Sequence, residues 1–255
     1  MKVTILGCGG SSGVPLIGNV WGDCDPAEPR NRRRRVSILV EEGETKILVD
    51  ASPDLREQFL DAGVDRLTAV ILTHAHADHV HGIDDLRSIN YLMQAPLPLY
   101  ATPDTLAEVG RRFGYALEPP RIPPTFYRPV LTPMPIAGSS FTVGGIEVRC
   151  FEQDHGYGTT LGLRFGKVAY STDVVKLPPE SIAALEGIDT WIVDCLRPTP
   201  HPTHAHFDRV LEWIAQVKPR RAVLTHMGHL MDYRRTAERC PPGMEPAHDG
   251  MVIEV

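Results

Sequence analysis

Four potential metal ligands fall within six positions of the sequence, in the segment Thr73-His74-Ala75-His76-Ala77-Asp78-His79. In an extended chain successive side chains alternate sides, so His74 and His76 point the same way and can reach one ion. Asp78 and His79 follow where the chain is predicted to enter a helix, which suits them to a second ion nearby. Imidazole nitrogen and carboxylate oxygen are ligands for zinc, manganese or iron. Although 11 histidines make some clustering expected, this order favours a metal site over a chance grouping.

The apolar runs around this segment predict several strands, and many of these strands end at polar residues. The apolar run 69–72 is short and β-branched, as in a buried strand. Further strands are predicted over 3–6, 36–41, 45–50, 97–100, 160–165, 167–171, 191–193, 222–224 and 251–255, with a hairpin over 141–152. The potential ligands at strand ends are His74, His155, Asp173, Asp194 and His226. Because sites gather where one edge of a sheet presents its loops, we expect these side chains to share one site.

Helical patterns occupy much of the remaining chain. Helices are predicted over 53–62, 79–91, 102–115, 178–185 and 207–217. The proline-rich residues 119–124 predict an extended surface segment, either a lid or an edge, because proline excludes helix and central strand.

Asp50 ends a predicted strand beside the histidine cluster. We expect Asp50 and Asp194 to lie behind the ligands and to orient their imidazoles by hydrogen bonds.

The bulk composition limits the classes of protein that this chain can belong to. Its 255 residues, 42% of them hydrophobic, predict one domain over 1–255. The net charge of −6 argues against a general binder of nucleic acid or acidic membranes. Three observations predict a cytoplasmic protein. The five cysteines are scattered and form no C-x-x-C pair, the N-terminus already has a strand pattern, and the sequence has no long apolar run.

Two segments offer candidate contacts to an anion. The run Arg30-Asn31-Arg32-Arg33-Arg34-Arg35 is either a solvated edge or a site of phosphate recognition, since guanidinium matches phosphate oxygens in pairs. Arg33 is the candidate substrate contact within it. The glycine-rich loop Gly7–Pro15 is a tight turn near the site, with or without ligand contact, and its spacing matches no phosphate-binding fingerprint.

Several motifs together resemble the metallo-β-lactamase superfamily. They are T-H-A-H-A-D-H-V-H-G from Thr73, His155 after a hairpin, S-T-D ending at Asp173, and His226 after a short strand. The resemblance implies an α/β fold, a four-layer αββα sandwich of two mixed sheets flanked by helices, with a dinuclear site along one rim. Within the superfamily the chain is similar to the phosphoribosyl cyclic phosphodiesterases of the carbon–phosphorus lyase pathway and, more distantly, to ribonuclease Z. The motifs that carry this are G-C-G-G-S-S-G-V-P from Gly7, D-H-V-H-G-I-D-D-L-R from Asp78, Val193-Asp194-Cys195 and His206-Phe207-Asp208.

The resemblance implies a set of seven ligands for two divalent ions, zinc or manganese with iron as a further option. The first ion would be bound by His74, His76 and His155, the second by Asp78, His79 and His226, and both by Asp173. An aspartate bridge differs from the cysteine typical of the β-lactamases proper. The related phosphodiesterases often carry a cysteine cluster for a structural zinc, whereas this chain has only Cys24 there, so no structural zinc is expected.

The expected activity is phosphodiester hydrolysis of a small cyclic or nucleotide-like phosphate. Two divalent ions acidify a shared water and supply a bridging hydroxide for attack on phosphorus. The predicted catalytic residues are Asp78 and His206, with His204 as the other candidate for the acid that protonates the leaving group. The predicted substrate contacts are His204, His206, His229 and Arg33.

Two other classes of function stay open. The same chemistry could hydrolyse a carboxylic ester, thioester or lactone, and the site could instead belong to a non-catalytic nucleotide- or metal-binding protein. All seven ligand positions are filled, which favours an enzyme. The expected partner is a small phosphorylated substrate, with no membrane, no long nucleic acid and a homodimer as one possible assembly.

Overall fold

The first of two mixed sheets contains the predicted segment that leads to the histidine cluster. A computed structural model of the protein describes residues 1–119 and 126–255. The strands of the first sheet are β1 (Lys2–Gly7), β2 (Ser37–Glu42), β3 (Thr45–Val49), β4 (Ala69–Ile71), β5 (Leu97–Ala101), β6 (Leu131–Pro135) and β14 (Val252–Glu254). Their order is β14-β1-β2-β3-β4-β5-β6, antiparallel as far as β3 and parallel from β3 to β6.

The second sheet has the same construction. Its strands are β7 (Ser140–Val143), β8 (Ile146–Asp154), β9 (Thr159–Phe165), β10 (Val168–Ser171), β11 (Thr190–Asp194), β12 (Arg221–Thr225) and β13 (Met244–Pro246). Their order is β13-β12-β11-β10-β9-β8-β7, antiparallel from β7 to β10 and parallel from β10 to β13. Each sheet therefore has a parallel half, and the ends of those halves provide the candidate site.

Helices flank the sheets, as the four-layer prediction requires. They are α1 (Leu55–Ala62), α2 (Ala77–Val80), α3 (Leu86–Met93), α4 (Pro103–Leu117), α5 (Pro179–Ala184), α6 (Phe207–Val217) and α7 (Tyr233–Arg239), with 3-10 turns at Pro29–Asn31 and Ile83–Asp85. Within 1–119 and 126–255, the helices are too short or too polar to cross a membrane.

Side-chain alternation along the strands divides the core into two layers. In β3, Ile47 and Val49 belong to a cluster that takes residues from both sheets, whereas Leu48 belongs to a second cluster with α1, α3 and α4. The first cluster joins the sheets face to face, and the second attaches helices to the outer face of the first sheet. On the other side, Trp213 of α6 packs against Trp191 of β11, with ring centroids 6.3 Å apart. The predicted αββα sandwich is confirmed.

Several elements differ from the sequence-based expectation, among them β13 and α7, which were not predicted. The helix predicted over 79–91 is broken into α2, a 3-10 turn and α3. Gly82 lies at the break, where an added Cβ would be 2.0 Å from the carbonyl oxygen of Ser52, so the chain needs glycine to pass this backbone. Strand β6 was not predicted because it contains Pro133 and Pro135, and its position at the edge of the sheet is what makes those prolines tolerable. The segment predicted over 119–124 lies, from residue 120 onwards, outside the described residues.

Candidate metal centre

Strand ends from both sheets converge on one polar cluster. Asp50 follows β3 and His74 lies three residues beyond β4, both in the parallel half of the first sheet. From the second sheet, Asp173 lies two residues beyond β10 and His226 follows β12 directly. Parallel strands bring their carboxyl ends to the same edge, which explains why residues far apart in sequence meet. The prediction that strand ends share one site agrees with this arrangement.

Three of these residues adopt a left-handed backbone conformation. The φ angles are 63° at Asp50, 53° at Asp173 and 55° at His226. Such angles are uncommon outside glycine and cost of order 1 kcal/mol or more, so they persist only where surrounding structure imposes them. Here the chain turns sharply at the end of each strand and keeps a polar side chain at the turn.

One group of ligand atoms consists of His74, His76, His155 and Asp173, and these atoms all lie within 4.8 Å of one another. Asp173 Oδ1 is 3.7 Å from His74 Nε2 and 3.6 Å from His155 Nε2. His76 is exposed to solvent, whereas the other three residues are buried. The group is thus open on the side of His76, which gives a small molecule a route to it.

A second group, equally close, consists of Asp78, His79, Asp173 and His226. The other oxygen of Asp173, Oδ2, is 3.1 Å from His79 Nε2 and 3.4 Å from His226 Nε2. Asp78 Oδ2 is 3.4 Å and 3.5 Å from the same two nitrogens. Each oxygen of Asp173 therefore faces a different group of histidines, which is the arrangement of a carboxylate that bridges two ions.

Hydrogen bonds fix which ring nitrogen faces the cluster. His79 Nδ1 lies 2.7 Å from Asp50 Oδ2, and His155 Nδ1 donates to the carbonyl oxygen of Thr203 at 2.8 Å. Asp50 is itself held by the backbone N–H and the hydroxyl of Thr73. These bonds leave Nε2 of each ring for a ligand, and Asp50 occupies the orienting position that was predicted for it.

Unpaired buried atoms test whether the cluster fits metal ions. His74 Nε2 and His79 Nε2 are buried and have no hydrogen-bond partner among the described residues. Buried polar atoms are rarely left without a partner, because desolvation then costs about 1–3 kcal/mol. Bound cations would supply the missing partners. Two sets of imidazole and carboxylate donors around a shared aspartate fit two divalent ions, zinc, manganese or iron among them.

The charges of the cluster also favour cations. Burial lowers the pKa of His74, so this ring is a neutral ligand. Burial would raise the pKa of Asp78, but the neighbouring His79 and His226 hold it far below its usual range. Burial would lower the pKa of His226, yet the neighbouring carboxylates of Asp173 and then Asp78 raise it to about 9. The buried carboxylates thus attract positive charge, and divalent ions would replace protons there.

His204 lies against the cluster, whereas His206 does not contact it. His204 Nε2 is 3.9 Å from Asp173 Oδ1, its Nδ1 is 3.0 Å from Asp194 Oδ2, and its ring stacks on His226 at 4.7 Å between centroids. His206 is half-buried and is the residue before the first turn of α6. Within the described part of the chain no contact joins its ring to the cluster. The geometry therefore favours His204 over the predicted His206 as the acid and substrate contact.

Asp194 lies behind the cluster, where it bonds one histidine and lies near a second. Its Oδ2 accepts from the backbone N–H of Val174 at 3.1 Å, in addition to its contact with His204, and its Oδ1 is 3.7 Å from His226 Nδ1. Ligand atoms of Asp194, His204 and His226 also lie within 4.8 Å of one another. Asp194 thus orients His204, and its second oxygen lies near His226 without a hydrogen bond to that ring.

Arg33, the substrate contact predicted within the arginine run, has its guanidinium bonded to the backbone of the loop after His226. Its side chain is 2% exposed, and its guanidinium donates to the carbonyl oxygens of Gly228 at 3.2 Å and Met231 at 2.6 Å. The buried guanidinium holds the loop after His226 and cannot reach a ligand in solvent. The rest of the run is also engaged, in ion pairs Arg30–Glu28, Arg34–Asp61 and Arg35–Asp54 and in a contact of Arg32 with the Trp21 ring.

His229 lines a cavity of about 270 Å³ beside the metal centre. Two further lining residues, Arg197 and His201, were not singled out by sequence reasoning. Their position became visible only with the fold, because the loop after β11 returns to the site through hydrogen bonds of Leu196 with Ala205 and Gly228.

Comparison with known proteins places the chain among metal-dependent hydrolases. Residues 45–227 match the model of the beta-lactamase superfamily domain. A crystal structure of a diphosphatase from the PhnP family has a TM-score of 0.90 and 32% identity, covering 99% of this chain and 96% of that one. The similarity therefore extends over essentially the whole of both molecules.

Two curated relatives match over part of their own length. The octanoyltransferase of Porphyromonas gingivalis is 32% identical over 98% of this chain and 51% of that protein. A ribonuclease Z of Bradyrhizobium sp. (strain ORS 278) is 31% identical over 62% of this chain and 51% of that protein. The chain spans about half the length of these curated relatives.

Proposed function

The chain belongs to the metallo-β-lactamase superfamily, and from that premise and the geometry of the metal centre we propose that it is a two-metal phosphodiesterase. Its substrate would be a small cyclic or nucleotide-like phosphate. The observation that carries the proposal is the position of Asp173, whose two oxygens lie 3.1–3.7 Å from imidazole nitrogens of two different groups.

The ligand groups would bind two ions through the residues that the resemblance implies. When bound, two divalent ions act as Lewis acids on a phosphoryl oxygen and make water available as a nucleophile near neutral pH. Asp78 and Asp173 supply negative charge that offsets part of the charge of the ions. Asp50 and the carbonyl of Thr203 keep the rings of His79 and His155 in the orientation that binding needs.

His204 would donate the proton that the leaving oxygen requires. Its Nδ1 is bonded to Asp194, and this bond holds the ring so that Nε2 faces the cluster. The ring is held between His155, at 4.8 Å between centroids, and His226. A proton at Nε2 is therefore presented from a fixed position at the edge of the site.

Phosphate is favoured over a carbonyl substrate by the similarity to the PhnP-family diphosphatase, which covers both chains almost completely. A second candidate function is hydrolysis of a carboxylic ester or thioester. It is favoured by the similarity to a protein named for octanoyl transfer, although this chain spans only 51% of that protein. The acidic net charge of −6 favours a small phosphorylated partner over a long nucleic acid.

The test is a parallel assay of metal-stripped protein reloaded with zinc, manganese or iron. The substrates are bis-p-nitrophenyl phosphate, a ribose cyclic phosphate, a 2′,3′-cyclic nucleotide, an octanoyl thioester and a lactone. We expect metal-dependent turnover of the phosphates, and Asp173→Asn should abolish it together with bound metal measured by elemental analysis. Turnover of only the thioester or the lactone would replace the proposal with the second candidate, and full activity of Asp173→Asn would refute the two-metal site.

A further inference from the structure

The last turns of α4 pack against the segment that carries the metal ligands. Nη1 of Arg112 donates to the carbonyl oxygen of Ala75 at 2.6 Å, and the ring of Phe113 lies 5.8 Å from the ring of His81, measured between centroids. Phe113 departs from helical geometry, with φ −124° and ψ 32°, so α4 is kinked at this contact. The two contacts lie on either side of α2, which carries ligands of the second ion.

The bond from Arg112 fixes a peptide that has no other hydrogen bond. Residues 72–76, between β4 and α2, form neither helix nor strand. Within the described part of the chain, the backbone of His74 and Ala75 makes no hydrogen bond except the one from Arg112. The Ala75 carbonyl belongs to the peptide unit that continues into His76. Arg112 therefore holds the chain directly before this ligand.

The position of His76 depends on its backbone. His76 is exposed, and its ring makes no hydrogen bond to the residues that the structure describes, whereas the rings of His74 and His155 are each fixed by one. The carbonyl oxygen of His76 accepts from the backbone N–H of His79 at 3.0 Å. On the other side, Arg112 holds the preceding peptide. The position of His76 is thus set by α2 and α4 together.

The second ligand group has supports that do not involve α4. His79 Nδ1 lies 2.7 Å from Asp50 Oδ2, and the carbonyl oxygen of His79 accepts from the backbone N–H of Ala51 at 2.8 Å. All four residues of this group are buried. Loss of the Arg112 contact should therefore loosen the first group and leave the second in place.

Arg112 is itself held in place, and its neighbour provides a matched control. Nη2 of Arg112 lies 2.6 Å from Oε1 of Glu108, one turn earlier in α4. The Glu108 carboxylate offsets the charge of Arg112, which would otherwise oppose a cation nearby. Arg111 pairs with the same carboxylate but, among the described residues, makes no hydrogen bond to residues 73–79.

We propose that Arg112 is a positioning residue for the first ion. Its bond to the Ala75 carbonyl keeps His76 within reach of that ion, so α4 sets the affinity for the first ion and not the affinity for the second. This inference rests on the two-metal site of the proposed function. Because the bond lies at the surface, with the Arg112 side chain 39% exposed, its loss should displace His76 without unfolding the protein.

Zinc titration of the metal-stripped protein, in competition with a chelator, measures the two affinities. Arg112→Ala should weaken the binding of one zinc ion about tenfold and of the other less than about twofold. Arg112→Lys, which keeps a cationic donor of similar reach, should restore part of the affinity. Arg111→Ala removes an arginine that pairs with the same carboxylate and should change neither affinity.

Variants of the ligands identify the ion that Arg112 affects. His76→Ala should leave the second ion bound, and adding Arg112→Ala should have no further effect, because the ligand that Arg112 positions is gone. Asp78→Ala should leave the first ion bound, and Arg112→Ala should still weaken its binding about tenfold. An effect of Arg112→Ala on the ion that remains in His76→Ala would overturn the inference. Equal losses for both ions in the otherwise wild-type protein would overturn it too.

Turnover separates positioning from substrate binding. In Arg112→Ala the zinc concentration that gives half-maximal hydrolysis of bis-p-nitrophenyl phosphate should rise about tenfold, while kcat/KM at saturating zinc should change less than about threefold. A larger loss at saturating zinc would overturn the inference in favour of a substrate contact. If the protein binds two zinc ions but hydrolyses no phosphodiester, the proposed function fails, and the zinc titrations still decide the inference. Binding of a single zinc ion by the wild-type protein would overturn both.

Discussion

Replacing His204 with alanine should slow the hydrolysis of substrates that have a poor leaving group. Its Nε2 faces the metal centre 3.9 Å from Asp173 Oδ1, while Nδ1 is bonded to Asp194 at 3.0 Å. A positioned general acid contributes about 10²–10⁴-fold to the rate, which corresponds to about 3–5 kcal/mol of transition-state free energy. We expect kcat for a ribose cyclic phosphate, whose leaving group is an alkoxide, to fall within that range.

The leaving group makes this prediction specific to proton donation. p-Nitrophenolate departs as a stable anion at neutral pH, so bis-p-nitrophenyl phosphate should lose less than about tenfold in the same variant. Metal content should be unchanged, since His204 is outside the seven predicted ligands. The variant should fold, because Asp194 keeps the backbone N–H of Val174 as a partner and the loss of one buried hydrogen bond costs about 1 kcal/mol.

The matched comparison is His206→Ala, two residues further on at the start of α6. It should leave turnover of both substrates close to wild type. Equal losses on the cyclic phosphate and on the nitrophenyl ester would contradict proton donation by His204, as would loss of metal by elemental analysis. A larger effect of His206→Ala than of His204→Ala would restore the residue that the sequence motif favoured.

Three further predictions concern the structure that supports the site. Asp50→Asn should weaken metal binding about 10–100-fold in a chelator competition, because His79 Nδ1 loses its carboxylate partner, and unchanged affinity would show that Asp50 does not orient the ring. Arg33→Ala should lower the free energy of unfolding by about 2–4 kcal/mol in urea, since two backbone carbonyls lose their donor, and a loss under about 1 kcal/mol would contradict this account. The pKa of Glu28 is lowered to about 2, chiefly by the hydrogen bond from Arg30. The ionised Glu28 carboxylate therefore makes its full contribution to the free energy of unfolding above its ordinary pKa, and this contribution is lost as pH falls towards 2. Between about pH 5 and about pH 3 the urea midpoint of wild type should therefore fall more than that of Glu28→Gln, and parallel curves would count against the ion pair.

The sequence predicted the positions of the strands and the residues at their ends better than it predicted the contacts of charged residues. Apolar runs and turn residues are local signals, so β3, β4, β11 and β12 lie within a residue or two of their predicted bounds. The partners of the arginine run are set by the fold instead. Arg35 pairs with Asp54 in the loop before α1. Arg33 donates to the carbonyls of Gly228 and Met231, which are 195 and 198 residues away in the sequence. A charge run carries no local sign of such partners, so the sequence alone could not predict the backbone contacts of Arg33.

The choice between His204 and His206 shows a limit of the period-two argument. Ala205 and Phe207 are both buried in the core, but the chain is bent at His204 and is not a continuous extended segment. The period-two rule therefore does not apply to this pair, and α6 begins directly after His206. The helix start was itself predicted at residue 207.

The left-handed residues explain why strand ends, and not the strands themselves, provide the ligands. A strand residue presents its side chain to one face of the sheet, where in this fold the faces are occupied by the apolar core or by helices. A positive φ within two residues of the strand end turns the chain out of the sheet, and Asp50, Asp173 and His226 all adopt it. Glycine would adopt this conformation at no steric cost but has no ligand atom. Keeping aspartate or histidine there costs stability of order 1 kcal/mol or more at each position, so the fold accepts backbone strain at the points where the chemistry of the metal centre requires a side chain.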